Sequence, residues 1–173
     1  DSVGLTDTAS VNISVGVLPS MTIDSPAAGT TWQAGDTISF TGSARDSSNN
    51  PLTGTSLVWS INLEHCNRTT PSCHTHVIQN LTGGGGSLVA PEHEYPSHLE
   101  LKLTATDASG VSASVTRRLD PRTVAITLDS QPAGASLTLG TETLTAPFTL
   151  DVIRNSRLPI TAPTSAHIGG VLH

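Results

Sequence analysis

An all-β, immunoglobulin-like sandwich with a short additional C-terminal β unit is the fold this sequence predicts, and three observations predict it. Composition is the first: charged residues make up only 13% of the chain, beside 15 Gly and 11 Pro, the mixture expected of extended strands joined by tight turns. The second is period-two alternation, clearest in "SLVWSINLEH", where Leu57, Trp59, Ile61 and Leu63 fall on one face and the intervening residues on the other. The third is the lack of a helical pattern, since no convincing window places apolar residues at i, i+3, i+4 and i+7.

Taken in order, the chain opens with "DSVGLTDTASV", which resembles "DASGVSASVT" from Asp107: an Asp-x-x-Gly turn followed by an alternating strand. Residues 1–18 are therefore expected to be the last strand of a preceding repeat, or a linker, in a tandem array. Residue 1 already reads as folded sequence, so any leader or upstream domain is expected to lie outside this stretch. Residues 19–121 read as one sandwich. "MTIDSPAAGTTWQAGDTISF" supplies a strand, a Ser-Pro/Gly turn and a strand through Ile38 and Phe40, and "ARDSSNNPLTG" is a polar loop. "SLVWSINLEH" and "THVIQNLTG" run out and back, and "GGGG" at Gly83–Gly86 reads as a hinge before a strand. "LELKLTAT", with Leu99, Leu101, Leu103 and Ala105 on one side, forms the closing hairpin with "DASGVSASVT". Turn signals every ten residues or so are the signature of a sandwich. Residues 122–173 form a second unit of about fifty residues, a size that is marginal for an independent core. It is expected to lean on the sandwich or to be truncated.

Charge excludes some partners. The net charge is −6 and the 8 Lys and Arg are scattered, so the clustered cations that bind nucleic acid or an anionic membrane are missing. No apolar run approaches a membrane span, and no signal peptide is seen.

The stretch "EHCNRTTPSCHTH", Glu64 to His76, places two cysteines and three histidines within thirteen residues. Cys66 and Cys73 enclose six residues, "NRTTPS". On a hairpin they would lie opposite each other and form a disulfide, which favours an oxidising, extracellular compartment. If Cys66 faces Cys73, then His65 faces His74 on the other side of the sheet from the sulfurs, and His76, two residues on, shares that side. Three imidazoles on one face can converge on one ion, with His93 of "PEHEYPSH" as a fourth ligand and zinc as the first metal to test. Two other readings stay open. The same parity puts His65 in line with Leu57, Trp59, Ile61 and Leu63, so the histidines can cap the core and bond to one another, to Glu64 or Glu92, or to backbone. They can also form an exposed, pH-sensitive patch.

Other constellations are weaker. "HEYPSH" is one residue too long for the zinc-protease H-E-x-x-H, and Pro96 forbids the required helix. Asp46, Asn49, Asn50 and Asp107 offer hard oxygens of the kind calcium takes, although such loops usually satisfy their own turns. Neither zinc nor calcium is demanded by the sequence. No nucleophile elbow and no phosphate loop are present, and Glu92, Glu94 and Glu100 read as surface charges. Trp59 reads as core, which leaves Trp32 and Tyr95 as candidate rings for stacking on a glycan.

The run "SPAAGTTWQAGDTISFTGSARDSSNNPLTGTSLVWS" resembles the immunoglobulin-like and PKD-type repeats of secreted bacterial proteins. With "CHTH" and "PEHEYPSHLEL", about residues 20 to 120 more narrowly resemble an accessory domain attached to secreted glucose/sorbosone dehydrogenase-like proteins and other multidomain exoenzymes. "VAITLDSQPAGASLTLGTETLTAPFTLDV" is similar to PEGA-type repeats through Ser130, Pro132, Gly134 and Pro147. These resemblances imply a non-catalytic, extracellular spacer, stabilising or docking module. Its partners would be neighbouring domains of the same polypeptide, with polysaccharide as a further candidate. The rival expectation is a module that binds a metal ion or a glycan.

Overall fold

The structure, a computed structural model, describes residues 16–68 and 72–165, together with the backbone of two short strands at 167–168 and 171–172. The expected terminal strand of a preceding repeat falls on residues 1–15 for the most part, outside the described residues.

The strands in chain order begin with β1 (Ser20–Ser25), β2 (Thr31–Trp32), β3 (Thr37–Arg45) and β4 (Pro51–Leu52). After a single 3-10 turn (Gly54–Ser56) come β5 (Leu57–Cys66), β6 (Cys73–Thr82), β7 (Gly85–Val89), β8 (Ser97–Thr106) and β9 (Ser112–Pro121). The C-terminal unit holds β10 (Thr123–Leu128), β11 (Ser136–Leu139), β12 (Glu142–Thr145), β13 (Phe148–Ile153) and β14 (Ile160–Thr161). The short pair β15 (His167–Ile168) and β16 (Val171–Leu172) follows.

Two sheets face each other across the main core. In the smaller, β1 lies along one edge of β3 while β7 and β4 share the other. The larger has the order β2-β9-β8-β5-β6, antiparallel except for the β2–β9 pair. The alternating rows in the sequence line the gap between the sheets. Phe40, Trp59, Ile61, Leu63, Leu99, Leu101, Leu103 and Leu119 are all fully buried. Each such side chain withdrawn from water contributes roughly 1.5–3 kcal/mol before entropy is counted. Trp59 packs on Phe40 with ring centroids 4.8 Å apart, and its indole nitrogen donates to the Gly83 carbonyl at 3.1 Å.

Only part of "GGGG" is a hinge. Gly83 has a left-handed φ of 106°, but Gly85 and Gly86 are strand residues of β7. A Cβ on Gly86 would lie 2.7 Å from the Leu81 side chain and 3.1 Å from the Phe40 ring, so glycine is there because two sheets approach closely.

The C-terminal unit pairs β10 with β13 and places β11 between β12 and β14. It is not detached. Ile153, 1% exposed, belongs to the same hydrophobic cluster as Trp32, Trp59 and Leu119. Ala34 donates to the Arg154 carbonyl, and Arg122 bonds Asp36 at 2.7 Å.

Candidate metal centre

The centre is built on the β5–β6 hairpin. A disulfide joins Cys66 to Cys73 at its loop end, and the register there is Cys66↔Cys73, His65↔His74, Glu64↔Thr75 and Leu63↔His76. The loop is short, so in the chain-entropy picture the bridge contributes about 2.5 kcal/mol. Residues 69–71 of the enclosed loop lie outside the described set. His65 continues the buried row of β5, and Ser97 of β8 stands opposite it on the other flank.

An irregularity in β6 decides which way the histidines face. Leu81 pairs with Trp59 and Gln79 with Ile61, but the next pair is Val77 with Asn62. Ile78 is an extra residue with no partner across the ladder, which is a β-bulge. Strict alternation from Leu81 would have put Val77 and Thr75 on the core side. The bulge advances the phase by one residue, so His76 and His74 point there instead.

Four imidazoles then meet at the end of the core. Ring centroids of His65 and His93 are 4.7 Å apart, His65 and His74 5.0 Å, His76 and His93 5.0 Å, and His74 and His76 4.6 Å. His93 comes from the segment between β7 and β8, and its backbone N–H donates to Ser156 Oγ of the C-terminal unit at 3.3 Å. One nitrogen from each of His65, His76 and His93 lies within 4.8 Å of the others. Tetrahedral zinc with bonds of about 2.0–2.1 Å needs its nitrogens about 3.3 Å apart, so the three rings would have to draw closer than that bound on taking up an ion.

Protonation suits a ligand role. The His93 Nδ1 lies 3.2 Å from the Glu94 carbonyl; a carbonyl only accepts, so Nδ1 carries the hydrogen, which leaves Nε2 as the ligand atom of the neutral ring. His74 and His76 share one hydrogen bond between their Nε2 atoms at 2.9 Å. His65 makes no hydrogen bond through its ring among the described residues. Burial lowers its pKa first, and the neighbouring His93 and His74 lower it further. A neutral imidazole is the form that binds a metal.

The rings open into a cleft of about 690 Å³ whose far wall belongs to the C-terminal unit, through Thr141, Glu142, Arg157 and Leu158. Glu94 accepts from Thr141 Oγ1 at 2.6 Å, and Arg68 pairs with Glu142 at 3.0 Å. Sequence reasoning missed this wall, because nothing in residues 122–173 signals where they dock.

The other candidates are placed elsewhere. Trp32 requires a correction: it is 1% exposed and gives its indole hydrogen to the Leu119 carbonyl, so no ring face is left for a sugar. Trp32 pairs within β2 beside β9, and of the two residues of that strand it is the one on the core side, Thr31 being exposed. Tyr95 is half-buried against the core with the Arg68 guanidinium 5.8 Å from its ring centroid. The structure does not bring Trp32 and Tyr95 together as a platform.

Asp46 and Asp107 serve their own turns. Asp46 accepts from the Ser48 and Asn50 backbone and from the Asn50 amide, and Asn49 has a left-handed φ of 67° within that loop. Asp107 accepts from the Ser109 backbone and hydroxyl and from the Val111 backbone. These bonds hold both carboxyls below the usual range, the Asn50 N–H leading at Asp46 and the Ser109 hydroxyl at Asp107. His98, the second histidine of "HEYPSH", is on the outer face opposite Glu64, away from His93. Glu92 and Glu94 line the histidine cleft, whereas Glu100 faces outward opposite Arg118.

No protein-family model matches the chain, and no match was found among curated proteins or solved structures.

Proposed function

We propose that this chain is a non-catalytic, extracellular accessory module of a multidomain protein, and that it binds one divalent transition-metal ion, zinc first, through His65, His76 and His93. The observation that carries the reading is the approach of three imidazole nitrogens, from β5, β6 and the β7–β8 segment, to within 4.8 Å of one another. Imidazole is the donor that zinc, copper and nickel share. The ring of His65 packs against those of His93 and His74 but makes no hydrogen bond among the described residues, which leaves its nitrogen open to an ion. The disulfide fits an oxidising compartment, and among the described residues no helix is long and apolar enough to cross a membrane. The accessory role, next to a sugar-oxidising or other exoenzyme domain, rests on sequence resemblance.

A second reading, a histidine cluster that only caps the core, is favoured by the His74–His76 hydrogen bond. Calorimetric titration of chelator-treated protein with zinc separates the two. One equivalent is expected to bind, and His93→Ala is expected to weaken affinity about a hundredfold, at or beyond the upper end of what outer-shell changes cost. A protein that neither takes up zinc nor melts higher in its presence belongs to the capping reading.

A further inference from the structure

We infer that the metal, once bound, keeps one coordination position open toward the cleft, and that this position takes a small monocarboxylate whose second oxygen is held by Arg157. This rests on the metal-binding reading above. Three ligands leave tetrahedral zinc one position short. His74 is the neighbouring imidazole, but it is not among the three whose nitrogens lie within 4.8 Å of one another. The space beyond the three ligands is a cleft of about 690 Å³, within the size range of small-molecule sites.

The lining selects the ligand. Glu92, Glu94, Glu142 and Arg157 all line the cleft, so the protein alone offers more negative than positive charge there. That balance favours a divalent cation and, after its arrival, tolerates one further negative charge better than two. A monocarboxylate is therefore favoured over phosphate or sulfate. Glu142 is already paired with Arg68 and Glu94 with Thr141. Arg157 is exposed and makes no hydrogen bond or ion pair with another described residue. Its planar fork matches a carboxylate oxygen. Bound in this way, the anion would have one oxygen on the metal and the other on the guanidinium, with no covalent change in either partner.

Cobalt(II) in place of zinc makes the position visible, because its ligand-field absorption reports coordination. Cobalt-loaded protein is titrated with sodium acetate at constant ionic strength, with sulfate as the dianion control. A saturable spectral change with acetate is expected, together with a weaker response to sulfate. Arg157→Ser, an exposed change that leaves the fold alone, is expected to weaken acetate binding about two- to fivefold, the range of an exposed charge pair. A cobalt spectrum that ignores acetate means that the fourth position is closed, and acetate affinity unchanged in Arg157→Ser removes the arginine from the site. Either result overturns the inference while leaving the metal in place. Failure of cobalt to bind overturns the metal reading itself.

Discussion

His65 sits where a row of buried apolar side chains runs out into a cleft, and that position sets its chemistry. Burial, then His93 and His74, lower its pKa from 6.5. His98, on the opposite face, is lowered by burial and by Arg118. In the unfolded chain both rings titrate at the ordinary 6.5. Between the folded values and 6.5 the unfolded state therefore binds more protons, and acid favours unfolding. Their contribution is complete above 6.5 and is lost as pH falls from there through the lowered folded values. Asp46 and Asp107 act in the same direction but later, losing their contribution only as pH drops below 3.8. Urea midpoints measured with chelator present between about pH 5 and 7 are expected to fall toward the acid side. The double change His65→Gln/His98→Gln should flatten that slope, and an unchanged slope would place the responsible groups elsewhere.

At the scale of the element, β6 must meet two demands whose phases disagree. Leu81 and Gln79 face the core row of β5 from one end, while Cys73 must face Cys66 at the other. One unpaired residue, Ile78, reconciles them. As β6 is the outer strand of its sheet, the bulge also disrupts an edge that could otherwise pair with another chain. Deleting Ile78 should therefore make the ladder regular without turning a histidine away. Zinc affinity is expected to stay within about threefold, and the disulfide to form as before. Loss of binding in the deletion variant, checked by titration and by thiol counting, would show that the bulge does more than correct phase.

For the molecule as a whole, the question is whether the C-terminal unit is a separate body. Ile153 lies in the core cluster of the sandwich, and the metal cleft has one wall from each part. The exposed Arg122–Asp36 pair adds little, about 1 kcal/mol or less, so the buried side chain is what matters. Ile153→Ala is expected to cost about 3 kcal/mol, from lost burial and the cavity left behind, within a single cooperative urea transition. Two separated transitions, with the first alone moved by the substitution, would mean that the units fold independently.

The rows Leu57–Leu63 and Leu99–Ala105 were legible from alternation alone, because strand geometry forces period-two burial on any strand with one face in a core. The shared side of His65, His74 and His76 was legible only by counting from the disulfide, since counting from Leu81 gives the opposite face. No residue type marks a bulge at Ile78, so tertiary packing had to decide it. The burial of Trp32 was not legible either: β2 has two residues, too few to show alternation, and a ring there goes where the neighbouring sheet leaves room. His93 and Arg157 reach the cleft through contacts between segments far apart in the chain. Local sequence determined which strands form and which of their faces are apolar. The folded chain alone determined which distant loops bring imidazole and guanidinium to one place, because that depends on how whole sheets and units dock.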